Sequence, residues 1–232
     1  MKSLMPRISV DVWSDYVCPW CWIAKKRFEK GLEEFEYSKQ VDVRHHSYRI
    51  ASDHPPIPFR SALYQKFGGE HGAELMMNQI ESTGKSEGLI YNFDTMLFGD
   101  TREAHTLAVA AREAGLGTQM SEKLFSAATT EGRSIFDRDV LIALAIEAGM
   151  TQSQAESALE NPVFRDSVDD DEAKARAIGA SGVPLFVINN KYAISGAQPA
   201  ANFLSALRQV WEETKDESMF MEGMVCGIDG CK

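Results

Sequence analysis

The four cysteines of this 232-residue chain fall in two close pairs near its ends. Cys18 and Cys21 stand as Cys-Pro-Trp-Cys, and Cys226 and Cys231 as Cys-Gly-Ile-Asp-Gly-Cys. Two thiols three residues apart can run disulfide exchange or supply half of a zinc site. Position favours exchange. A β-branched and aromatic run, Ile8 to Trp13, precedes Cys18, and apolar residues at Trp22, Ile23, Phe28, Leu32 and Phe35 follow it at helical spacing. Cys18 therefore falls at a helix N-terminus, where unsatisfied N–H groups and the helix dipole favour a thiolate. It is expected to be the exposed attacking thiol, and Cys21, one turn on and more buried, the resolving thiol. Pro19 suits the first helical turn, where its missing N–H costs nothing. Zinc knuckles usually set their paired cysteines in a Gly-rich turn, not at the head of an amphipathic helix.

A second signal is Ser181-Gly182-Val183-Pro184, ahead of the apolar run Leu185 to Ile188. A proline at the head of a strand either holds a cis bond or simply starts the strand. Asp11, on the strand before Cys18, is a candidate proton acceptor for Cys21, and an ordinary paired or solvated Asp is the alternative. Trp20 is a candidate for the substrate surface, whereas Trp13 and Trp22 read as packing residues. The histidines show no metal-binding spacing, so no histidine metal site is expected. His105 reads as a satisfied packing residue in a cleft between sheet and helices.

These residues need elements to position them. Val41 to Ile50 reads as a second strand, after which Pro55, Pro56 and Pro58 end regular structure. From Phe59 to about Asp171 no convincing strand is found. Asp100 with Glu103 looks like a capping box opening a helix to Gly115, and further helices span Gln119 to Thr129, Val140 to Gly149, and Thr151 to a limit at Pro162. Strand character resumes at Val183, turns at Asn189-Asn190 into Tyr192 to Ser195, and gives way to a last helix from Pro199 to about Glu213. The expected order is βαβ (1–58), an inserted helical domain (59–172), ββα (173–215) and a tail (216–232). This is an α/β, thioredoxin-like fold with an all-helical domain between its halves.

Composition narrows the partners. With 24 basic and 34 acidic residues the formal charge is −10, which argues against nucleic acid because phosphates would be repelled. No apolar stretch is long enough to span a bilayer, and the first ten residues lack the apolar core of a secretory leader. The expectation is a cytoplasmic protein, where thiols stay reduced and paired cysteines are catalytic, redox-sensing or metal-binding.

The run Asp11-Val12-Trp13-Ser14-Asp15-Tyr16-Val17-Cys18-Pro19-Trp20-Cys21, with Ser181 to Asn189, Lys191-Tyr192 and Ser195-Gly196-Ala197-Gln198, resembles the DsbA-like thioredoxin superfamily. Within it, the FrnE-like subfamily of cytoplasmic dithiol-disulfide oxidoreductases is the nearest match. Asp100-Thr101 with Ala104-His105 resembles its helical-domain signature. The resemblance implies Cys18 as attacking and Cys21 as resolving thiol, and Pro184 as a cis-proline facing them. It also implies Pro19, Trp20 and Val183 at the substrate surface, with Val183 offering backbone groups to an extended peptide. Cys226 and Cys231 become a second redox pair. No cofactor is implied beyond the redox-active disulfide. Disulfide-containing proteins or peptides are the implied substrates, with glutathione or a thioredoxin-type system for recycling. Kappa-class glutathione transferases and 2-hydroxychromene-2-carboxylate isomerases resemble the same fold but carry Ser at the first cysteine, which disfavours their chemistry here. Two alternatives stay open: one zinc ion held by Cys18, Cys21, Cys226 and Cys231, and a binding protein or chaperone in which the thiols are incidental.

Overall fold

The computed structural model describes residues 8–223. Its main sheet has strand order β2-β1-β5-β6, from β1 (Ile8–Ser14), β2 (Val41–Ser47), β5 (Leu185–Ile188) and β6 (Tyr192–Ser195). β1 runs parallel to β2 and antiparallel to β5, and β6 closes the far edge as a hairpin. The parallel pair is joined by α1 (Pro19–Glu33), and α9 (Ala200–Gly223) follows β6. This is the βαβ and ββα order that the sequence implies.

β1 is buried along most of its length, its polar Asp11 included, because it is central and covered on both faces. Val10 and Val12 pack with Ala24 and Phe28 of α1 and Phe203 and Leu207 of α9, whereas Trp13 packs with Ala175, Leu185 and Val187. α1 and α9 cross closely at Gly31, where a Cβ would stand 2.8 Å from the Ala200 carbonyl oxygen. The β5–β6 turn holds Asn189 and Asn190 at φ 49° and 54°, the left-handed pair that a two-residue hairpin requires.

Between the halves lie α2 (Phe59–Lys66), α3 (Glu70–Ser86), α4 (Arg102–Glu113), α5 (Gly117–Ser126), α6 (Arg138–Glu147), α7 (Gln152–Glu160) and α8 (Pro162–Ala177). Their core is continuous with the start of α1, since Cys18, Cys21, Trp22 and Ile23 share one cluster with Phe59, Leu107 and Phe125.

Four local expectations change. The stretch expected to lack strands contains β4 (Leu97–Phe98), paired with β3 (Ile57–Pro58); two residues are too few to show a period. The capping box of Asp100 with Glu103 does not form: Thr101 is the N-cap, and the Asp100 carboxylate accepts the Arg102 N–H at 3.0 Å but also Arg49 at 3.0 and 3.1 Å. Pro162 ends α7 and also opens α8, where Asn161 caps the Val163 N–H at 3.0 Å. Last, α9 continues past Glu213 to Gly223, through the start of the stretch expected to be tail. Cys226 and Cys231 lie outside the described residues.

Candidate active site

The turn between β1 and α1 is built on Asp15, which is fully buried. Its carboxylate accepts from the Thr101 hydroxyl at 2.8 Å, the Ile50 N–H at 2.8 Å and, more weakly, the Val17 N–H at 3.4 Å. Its carbonyl accepts the Cys18 N–H at 3.1 Å. One side chain thus ties the turn both to the segment after β2 and to the start of α4. Cys18 is the extended N-cap of α1 and Pro19 is its first residue; the Cys21 N–H returns to the Cys18 carbonyl at 3.0 Å. From the insertion, the Tyr91 hydroxyl donates to the Pro19 carbonyl at 2.9 Å.

Both thiols are free, but Cys18 is not exposed as expected. It is only 8% accessible, against 2% for Cys21, because α2 and α3 of the insertion form a wall in front of it. What Cys18 faces is a groove of about 490 Å³, shared with Pro19, Trp20 and Val183 and walled on the far side by Phe59 and Leu63. The Val183-Pro184 bond is cis. Cys21 and Pro184 face the other way, into a cavity of about 160 Å³. Burial pushes the Cys21 thiol well up, and the neighbouring Cys18 adds to the effect.

The residues named from sequence therefore divide. Cys18, Pro19, Trp20 and Val183 meet at the groove, while Cys21 and Pro184 lie just behind it. Asp11 joins neither group. It lies on the face of β1 opposite Val12, which lines the Cys21 cavity, and is taken by His46, whose Nε2 stands 2.7 Å from Asp11 Oδ1. Strand alternation turns it away from Cys21, so Asp11 is not placed to accept the Cys21 proton as expected. Trp13 and Trp22 are buried packing residues, at 5% and 6%. His105 is buried against Tyr16, ring centroids 4.7 Å apart. It is not satisfied as expected: its Nε2 sits 3.5 Å from Asp15 Oδ1 without a hydrogen bond.

Sequence reasoning missed several groups around the thiols. Asp15 stands within the motif, but its partners Ile50 and Thr101 are remote in sequence. Lys25, one turn after Cys21, is buried and paired with Glu29 at 2.5 Å and with Glu122 of α5. Against the cost of burial, Lys25 and Lys26 hold Glu122 below the usual carboxylate range. His45 also faces the Cys21 cavity. Only its place opposite Val12 in the β1–β2 register could have found it, and register is not visible in one strand alone.

Among the described residues no group of three or more His, Cys, Asp or Glu side chains is gathered as a metal site, and no helix is long and apolar enough to cross a membrane. The four-cysteine zinc arrangement needs Cys226 and Cys231.

Residues 9–208 match the family model of the DsbA-like thioredoxin domain. A probable DsbA oxidoreductase from Streptomyces coelicolor superposes with TM-score 0.84 at 31% identity, covering 97% of this chain and 98% of its own. The cytosolic disulfide reductase DsbM from Pseudomonas aeruginosa shares the fold, with TM-score 0.62, 22% identity and coverage of 88% and 98%; a further structure of it is with glutathione. Protein YwbO of Bacillus subtilis, itself uncharacterized, is 26% identical over 160 residues, 68% of this chain and 75% of its own. The match over most of the chain agrees with the groove, the paired thiols and the sheet order: the chain belongs to the DsbA-like thioredoxin domain family.

Proposed function

We propose that the chain is a cytoplasmic thiol-disulfide oxidoreductase of the FrnE-like type, with Cys18 and Cys21 as its redox centre. The observation that carries this reading is the placement of two free thiols on one helical turn, Cys18 at a groove that Val183 also lines and Cys21 sheltered behind it together with cis-Pro184. In the reducing direction the Cys18 thiolate attacks a substrate disulfide, forming a mixed disulfide and releasing one substrate thiol. Cys21 then attacks the Cys18 sulfur, which frees the second substrate thiol and leaves Cys18–Cys21 oxidised. Substrate disulfides gain two electrons and the enzyme dithiol loses them.

Disulfide-bearing proteins or peptides suit the groove. Val183 would meet an extended segment through its backbone, and Pro19 and Trp20 would contact the residues beside the reacting sulfur. Glutathione or a thioredoxin-type system would return the centre to the dithiol, with Cys226 and Cys231 as a second pair exchanging with the first. The test is a glutathione redox titration with alkylation and mass-spectrometric reading of each cysteine. Cys18 and Cys21 are expected to titrate together as a two-electron couple, and Cys18→Ser to abolish disulfide reduction. Full activity in Cys18→Ser would refute the reading.

A further inference from the structure

The cavity behind Cys21 lies among α1, β1, β2 and α5, and besides Cys21 it is lined by Ser14, Lys25, His45 and Ser121. A second cavity, of about 200 Å³, shares Ser14, His45 and Ser121 with it and continues past Tyr16 and His105 to Arg112. The Arg112 side chain is 37% exposed, so this second space reaches the surface. Much of the Cys21 cavity wall is apolar, with Val12, Phe28, Phe125 and Phe186, but Ser14, Lys25, His45 and Ser121 supply the two to four polar partners that a water needs, and the space is large enough to hold one.

We propose that these two cavities are the route by which the Cys21 proton leaves during the resolving step, and that His45, which faces both, relays it from one to the other. This rests on the reading of Cys18 and Cys21 given above. When Cys21 attacks the Cys18 sulfur of a mixed disulfide, the Cys18–Cys21 bond forms, the bond from Cys18 to the substrate sulfur breaks, and that sulfur departs as a thiolate. The Cys21 proton must go elsewhere. Cys21 is buried, and the groove in front is occupied by the departing group, so the space behind is the open direction.

His45 suits the task. Burial, then the charges of Lys25, His46 and Arg112, push it down to about 4, so the ring is neutral at neutral pH. A neutral imidazole accepts at one nitrogen and donates at the other. The charged groups around it are already engaged: Lys25 with Glu29 and Glu122, Arg112 with Asp171 at 3.8 Å and the His45 carbonyl, and His46 with Asp11 and Asp171. Among the described residues neither ring nitrogen of His45 has a hydrogen-bond partner. The relay acts through Cys21 and touches no substrate atom.

The experiment uses the full chain carrying Cys226→Ser and Cys231→Ser, so that only Cys18 and Cys21 report, and dithiobis(nitrobenzoic acid) as the oxidising disulfide. Cys18 releases one coloured nitrothiobenzoate and Cys21 then releases a second, so the two steps appear as two phases. His45→Gln and His45→Ala are expected to slow the second phase roughly a hundredfold or more, to change its pH profile, and to leave the first phase within about twofold. Added imidazole should recover part of the rate in His45→Ala. A second phase at the native rate in both variants overturns the relay, as does an equal slowing of both phases, which would mark His45 as structural. Loss of the first phase in the parent would instead refute the reading of Cys18.

Discussion

The two faces of the β1–β2 pair carry adjacent histidines with opposite surroundings. On the α8 face His46 is saturated: Nδ1 lies 2.7 Å from Asp171, Nε2 lies 2.7 Å from Asp11, and the ring stacks on Trp13 at 4.6 Å. Asp171 also accepts the Ser47 N–H at 3.1 Å, and its carbonyl accepts the Trp13 indole at 2.9 Å. On the α1 face, one residue earlier, His45 looks into open space beside a buried thiol. A polar group with every partner in place holds elements together; one that faces space is free to change its protonation. The difference separates a structural clamp from groups able to do chemistry, within a single strand.

The largest effect that would break this comparison is on the clamp. Asp171→Ala removes the acceptor of His46 and Ser47 and leaves a buried donor cluster uncompensated, so it is expected to cost about 3–5 kcal/mol of stability. Urea unfolding checks this, and the Cys18 alkylation rate in the folded protein should not change. A large change in that rate would mean that the faces are not independent.

The two faces should also part with pH. His45 is held near 4 in the folded chain against an ordinary 6.5, so between those values the unfolded chain binds more protons and stability falls as the solution is acidified. The loss is up to about 3 kcal/mol, and His45→Gln should remove that slope. His46 outweighs burial and holds Asp171 below its ordinary 3.8, so the clamp's contribution stays intact above that value and is lost only as pH falls through the lower folded one. Unfolding midpoints measured from pH 7 to pH 3 resolve the two windows. The smallest effect is expected from Asp11→Asn, about 1–2 kcal/mol through its weakened bond to His46. In the two-phase assay this variant should resolve the mixed disulfide at the native rate, which directly tests the exclusion of Asp11 from proton transfer.

What was legible in the sequence is what short-range pattern encodes. The thiols on a strand–helix junction, Val183-Pro184, the Asn189-Asn190 turn and the helix start at Thr151 each need only a few neighbouring residues. What was not legible depends on partners far along the chain. Asp11 and Asp15 look alike as acids before Cys18, yet alternation aims one at His46 while Ile50 and Thr101 claim the other. Asp100 has the spacing of a cap and does accept the Arg102 N–H, but Arg49 and the Asp53 N–H, which no local pattern shows, share its carboxylate. Cys18 has the position of an exposed nucleophile, and its cover comes from α2 and α3, in the part of the helical insertion whose residues mark no individual helix boundaries.

The strand order also sets a timetable for synthesis. β1 is bonded on one side to β5, with Val10 opposite Ile188, so its second neighbour is translated 178 residues later. At about 5–20 residues per second the nascent strand waits roughly 10 to 35 seconds for that partner. Cys18 and Cys21 leave the ribosome early in this interval, whereas Ser181 to Val183, which complete the groove, arrive near its end. The two thiols are thus made near the start of this interval and enclosed only near its end, and until the sheet closes they stand open to whatever oxidant or reductant surrounds the nascent chain.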